Sequence, residues 1–170
     1  MRRGWKLLWV VGVGLGLSCR RASCEDVVCL NGGTCRGGRC QCPAGFSGAR
    51  CETKWSDAIV GRYTVDDRCR VVGLIPQYEA AISASTVYPD VVYLESFGDI
   101  ACEGQKIRVE ARLTSPTALV IARQSSCNRR YTVEGSATYN PTNRTLTVDY
   151  YFRDFQTGVA DTCSAVWSKF

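Results

Sequence analysis

Six cysteines crowd into 28 residues, Cys24 to Cys51, with the spacing C-x4-C-x5-C-x4-C-x-C-x8-C. A segment this short cannot bury enough apolar surface to fold alone, so crosslinks must supply what its core lacks. Spacing by itself leaves many pairings open. The whole chain carries eleven cysteines among 170 residues, an odd number, so pairing within the chain leaves one over.

The residues between the cysteines narrow the choice. "NGGTC" followed by "CQCPAGFSGARC" resembles an EGF-like module, and the likeness runs from Cys24 to Cys51 without a gap. The resemblance implies the pairs Cys24–Cys35, Cys29–Cys40 and Cys42–Cys51, with Gly32, Gly33, Gly45 and Gly48 taking the tight turns. Calcium-binding modules of this kind place acidic or amide side chains before the first cysteine and an Asn or Asp between the third and fourth. Here "RRAS" and "RGGR" stand in those places. A hard cation needs several oxygen ligands, so calcium is not expected, nor any other metal or cofactor.

The N-terminus reads "MRRGWKLLWVVGVGLGLSC": a basic start, an apolar run from Leu7 to Leu17, then small or polar residues. That run is too short for a bilayer, which needs ~20 residues, and the layout is that of a secretory signal over 1–18. Export makes disulfides reasonable. Cys19 follows the run directly, behind Gly16, Leu17 and Ser18, and resembles the lipid-carrying cysteine of bacterial lipoproteins. The resemblance implies a mature chain that starts at acylated Cys19, a tether over 19–23, and a place at the bacterial cell envelope, anchored to the outer membrane. The alternative is cleavage nearby and a secreted protein whose Cys19 is a stray or intermolecular thiol. Without Arg2, Arg3 and Lys6, 18 basic residues stand against 16 acidic ones, a balance of +2 that gives no reason to expect nucleic acid.

After a short linker at 52–54 the pattern becomes alternation, over 55–170. "KIRVEARL" sets Ile107, Val109, Ala111 and Leu113 on one face and charges on the other, the period of a half-buried strand. "QYEAAISAS", "RYTVEGSATYN" and "TLTVDYYFRD" behave alike, and "GRYTVDD", "DVVYLESF", "TALVIARQ" and "TCSAVWSKF" complete eight strands, with no helical stretch of useful length. "YPD", "FGD", "SPT" and "NPTN" supply turns. Eight consecutive antiparallel strands favour closure, because closing the sheet removes both exposed edges. The expected fold is therefore all-β: a disulfide-rich EGF-like module plus an eight-stranded up-and-down barrel, with a β-sandwich as the alternative. The opening "IVGRYTV" is similar to the first strand of lipocalin-like barrels, with Tyr63 where those have Trp. The order EGF-like module then small β-domain resembles lipoproteins of the Bacteroidota.

In an up-and-down barrel Cys69, Cys102, Cys127 and Cys163 all fall at one end, and closure sets the last strand beside the first. The expectation is Cys69–Cys163 as a clasp and Cys102–Cys127 between two loops, one of three possible connectivities. Ten cysteines are then used, and Cys19 is the eleventh.

The chain has no histidine, which removes the commonest general base and most catalytic zinc sites. An enzyme is not expected. Asp66 and Asp67, like Asp149 and Asp154, read as solvated side chains. The function expected is non-catalytic binding or adhesion to a surface protein or glycan, with Tyr151 and Phe155 of "YYFRDF" as contact residues. The alternative is a carrier of a small apolar ligand, with Ala80, Ala84, Ala111, Ala122, Ala137 and Ala165 leaving space inside. Against that stand Tyr63, Tyr131, Phe152 and Trp167, which would fill it.

Overall fold

The structure is a computed structural model that describes residues 23–170. The signal over 1–18, Cys19 and all but the last residue of the tether lie outside the described residues. No helix among those described is long and apolar enough to cross a membrane.

The EGF-like module is two small hairpins. Strand β1 (Thr34–Arg36) pairs with β2 (Arg39–Gln41), and β3 (Phe46–Ser47) pairs with β4 (Thr53–Lys54). Disulfides join Cys24 to Cys35, Cys29 to Cys40 and Cys42 to Cys51, the pairs named above. Residues 53 and 54, expected as linker, are thus sheet, because the chain returns beside β3 before leaving the module. A single helical turn, α1 (Ser56–Ile59), follows.

The barrel is built from β5 (Gly61–Cys69), β6 (Gly73–Ala84), β7 (Val91–Glu95), a minor hairpin of β8 (Ala101–Cys102) and β9 (Gln105–Lys106), then β10 (Arg108–Leu113), β11 (Ala118–Ser126), β12 (Tyr131–Asn140), β13 (Thr145–Asp154) and β14 (Ala160–Lys169). Every pairing is antiparallel, and β14 closes on β5 with Cys163 opposite Cys69. The sheet is therefore a closed eight-stranded barrel, which excludes the sandwich.

Alternation explains the core. Inward positions of the strands supply Tyr63, Val65, Leu94, Val109, Leu119, Val133, Leu146, Val148 and Trp167, all fully or almost fully buried. Tyr63 and Trp167 meet edge-on at 5.9 Å, and Phe97 packs against both Tyr150 (4.6 Å) and Trp167 (6.4 Å). The middle of the barrel is filled. Of the alanines expected to line a void, Ala80, Ala111, Ala137 and Ala165 are buried, Ala84 is half-buried and Ala122 is exposed. Ala122 follows buried Ile121 and so shares the outward face with Val120, and a bulge between Ile121 and Gln124 then interrupts the alternation. The bulge also parts β11 from β10, which keep only two paired positions. Gln124 repairs the gap: its amide accepts from the Glu110 N–H (2.9 Å) and donates to the Glu110 carbonyl (2.8 Å), standing in for a peptide group.

The module sits at the end of the barrel where β5 begins. Gly45, with φ of 89°, lies so close to the β6–β7 turn that a Cβ there would fall 2.7 Å from the Pro89 carbonyl carbon. The Trp55 backbone N–H donates to the Gly45 carbonyl (2.8 Å), and the Lys169 ammonium donates to the Ala58 carbonyl (2.9 Å). The opposite, far end carries the turns 70–72, 96–107, 127–130 and 155–159.

Candidate functional site: the far mouth of the barrel

Both remaining disulfides lie at the far end. Cys69–Cys163 joins β5 to β14, and Cys102–Cys127 ties the β8–β9 hairpin to the turn before β12. Cys163 is the fourth residue of β14, which starts earlier than "TCSAVWSKF" suggested. The extension matters because it brings in Asp161.

Asp161 organises the β5–β6 turn. Its carboxylate accepts from the backbone N–H groups of Arg70 (3.1 Å), Val71 (2.8 Å), Val72 (2.8 Å) and Thr162 (2.7 Å). Burial works to raise its pKa, but the four donors together outweigh that and hold the carboxyl below its ordinary value. The turn so fixed displays aliphatic side chains: Val71, Val72 and Leu74 are 72%, 55% and 69% exposed. Turn tips normally carry Gly, Asn, Asp, Ser or Pro, so two valines there are out of place as structure.

Behind the turn lies a cavity of about 420 Å³. Val72, Leu74, Ile75 and Val159 form its outer wall, Ile100 and Gly98 one side, and Tyr131, Tyr150 and Phe152 the floor. It is closed below by Phe97–Asp99, the expected "FGD" turn, which forms one turn of 3-10 helix and drives Phe97 into the core. Gly98 takes a φ of 61°, and a Cβ there would crowd the Tyr150 hydroxyl at 3.2 Å. Two acidic residues at the rim are neutralised by partners. Asp154 receives Arg130 through both ends of its fork (3.2 and 3.0 Å), which holds its carboxyl far below the usual range, and Asp99 pairs with Lys106 at 2.6 Å. Asp154 is therefore a buried structural residue and not a solvated one.

Beneath the floor is a carboxylate that sequence reading missed. Asp67 points inward and is 1% exposed. Its Oδ2 accepts from the hydroxyls of Tyr150 (2.6 Å) and Tyr78 (3.2 Å), while its Oδ1 is buried without a partner among the described residues. Burial raises its pKa, against the opposing pull of the two tyrosines; burial likewise raises both phenols. The signal was present in the alternation Tyr63, Val65, Asp67, Cys69, which puts Asp67 on the core face. Asp67, Cys69 and Cys163 bring one carboxylate and two sulfurs within 4.8 Å of one another, but the disulfide takes both sulfurs and leaves a single candidate ligand for a metal.

Tyr151 and Phe155 lie elsewhere. Both face outward from the β13 end; Tyr151 is half-buried in a groove on the barrel wall, and Phe155 is 53% exposed under the Arg153 guanidinium, 4.9 Å from its ring centre. They border different depressions and do not form one contact site.

Comparison with known proteins sorts the two parts of the chain. A family model for the EGF-like domain matches residues 19–51. A 24-residue stretch, 14% of the chain, is 75% identical to the mouse basement membrane-specific heparan sulfate proteoglycan core protein, of whose length it spans 1%. Among solved structures, a redesigned β-barrel is 12% identical over 68% of this chain and 94% of its own, with a TM-score of 0.45. A Bacteroides ovatus structure of unknown function is 12% identical over 65% of this chain and 41% of its own, with a TM-score of 0.44. The chain thus carries an EGF-like domain followed by a closed eight-stranded barrel. The disulfide-bonded EGF-like module suggests an exported chain with an extracellular interaction module.

Proposed function

We propose that this protein is an exported lipoprotein of the bacterial envelope, held at the membrane through acylated Cys19, whose lipocalin-like barrel is a non-catalytic binding module for a small apolar ligand. The EGF-like module spaces the barrel from its anchor, and the site is the far mouth. The observation that carries the reading is the continuity of exposed Val72 and Leu74 with the cavity of about 420 Å³. Apolar surface held open to water by a rigid turn costs stability, and cavities of about 300–1,000 Å³ are the size of small-ligand sites. With the middle of the barrel filled, the mouth is where the exposed aliphatic side chains meet a cavity. The lack of histidine and the committed rim carboxylates support a binding role without chemistry.

The test is a nitrogen-15 NMR titration of the chain bearing Cys19→Ser with 1-decanol and with toluene. Saturable shifts should cluster at Val72, Leu74, Ile100 and Phe152. Val72→Ser with Leu74→Ser should weaken binding at least about tenfold, since each aliphatic side chain contributes roughly 1.5–3 kcal/mol when buried. No saturable shift with either probe, or shifts away from the mouth, would overturn the site.

A further inference from the structure

The outer wall of the barrel carries a second concavity, of about 620 Å³, centred on β14. Strand register explains its shape. One row of outward side chains runs Arg68, Ser164, Asp149 across β5, β14 and β13. The next runs from Arg70, whose N–H meets the Thr162 carbonyl at 3.0 Å, through Thr162 to Tyr151 and then Glu134 on β12. The middle strand therefore offers only the short hydroxyl side chains of Thr162 and Ser164. One wall is guanidinium, and the other is carboxylate and phenol. Gly135 also lines the depression, at a point where β12 and β13 approach so closely that a Cβ there would fall 2.4 Å from the Asp149 carbonyl oxygen. The Cys69–Cys163 bridge lies under the floor and fixes it.

None of these four charges is used in an ion pair among the described residues. Asp149 and Tyr151 stand two strand spacings from the arginine strand, ~10 Å, and Glu134 three, ~14 Å, room for one ring with a hydrogen bond of ~2.8 Å on either side. Guanidinium groups only donate and carboxylates only accept, so an occupant must offer acceptors to one wall and donors to the other. A hydroxyl does both. A flat half-buried tyrosine beside them suits a ring with one apolar face.

We propose that this groove is a carbohydrate-binding site for a neutral oligosaccharide, with Tyr151 stacking on a sugar ring, Arg68 and Arg70 donating to its hydroxyls, and Asp149 and Glu134 accepting from them. It is separate from the mouth and does not depend on it. The occupant carries no net charge, because an anion would meet repulsion at the carboxylate wall and a cation at the guanidinium wall.

The experiment is a nitrogen-15 NMR titration of the chain bearing Cys19→Ser with tetrasaccharides of glucose, mannose, galactose, xylose and N-acetylglucosamine, each to ~10 mM, a range that detects the millimolar affinities expected of a single-ring site. At least one should give saturable shifts at Gly135, Tyr151, Thr162 and Ser164 and none at Val72 or Leu74. Tyr151→Ala should weaken that binding about tenfold or more. Ser164→Tyr, an outward change compatible with a strand, should abolish it by filling the floor while leaving decanol shifts at the mouth intact. Silence across the panel, sugar shifts at the mouth, or binding that survives Ser164→Tyr would each overturn the proposal.

Discussion

Replacing Cys69 and Cys163 together by alanine removes the clasp between the first and last barrel strands. The two residues are 94 apart in sequence, against 25 for Cys102 and Cys127. Chain-entropy arithmetic assigns about 4.7 kcal/mol to closing the longer loop and about 3.5 kcal/mol to the shorter. The native strands need the bridge less than the unfolded chain does, because β14 and β5 stay paired from Cys163–Cys69 to Lys169–Tyr63 without it. The double variant should therefore keep the barrel and lose stability, with a melting temperature lower by about 15–25 °C. Urea unfolding followed through the fluorescence of Trp167, buried in the barrel, measures the loss. Its dependence on urea should also steepen, since an unclasped chain exposes more surface when unfolded. A loss below ~2 kcal/mol, or a larger loss from Cys102→Ala with Cys127→Ala, would refute the reasoning.

Two further outcomes follow from the interior. Asp67 has its pKa raised by burial, so between the ordinary carboxylate value of about 4 and the folded value the unfolded chain has released a proton that the native one keeps. Stability therefore falls as pH rises through that window, by at most ~1.4 kcal/mol per pH unit for this group. Asp67→Asn should gain on the parent steadily from pH 4 upward in urea titrations, and a gain that does not change with pH would contradict the assignment. Gly135→Ala places a methyl against the β13 backbone, 2.9 Å from the Tyr150 Cα. It should cost about 1–3 kcal/mol, and a change in calorimetric stability below ~0.5 kcal/mol would show that the strands part freely there.

Much of the fold was legible because side-chain alternation has a period of two and repeats through eight segments. The inward sets 107–113, 131–139 and 146–152 could be read directly, and closure followed from the number and order of strands. The outward place of Ala122 was legible, since it follows inward Ile121, but its small apolar side chain was weighed above that position; the bulge before Gln124, by contrast, leaves no mark in hydropathy. Asp67 was misread because residue type was weighed above strand position. The mouth was out of reach for a different reason: nothing local shows how Val71 and Val72 are held, and only the Asp161 carboxylate, 90 residues from Val71, fixes them as an exposed turn that leads into β6 and Leu74. The groove likewise depends on which residues of four strands stand side by side, which register alone decides. Tyr151 could be picked out as an outward aromatic, but its neighbours Arg70 and Glu134 could not.

The sulfur atoms provide the most direct test of an exported, membrane-moored binding protein. Five bridges take ten of the eleven cysteines, and the proposed function assigns lipid to the eleventh, Cys19. Intact mass spectrometry of protein extracted from its own membranes, before and after reduction, should show a chain that begins at an acylated Cys19 and gains ten hydrogens on reduction, two for each of the five bridges. A mature chain that begins elsewhere, or that carries Cys19 without acyl groups, would contradict the account.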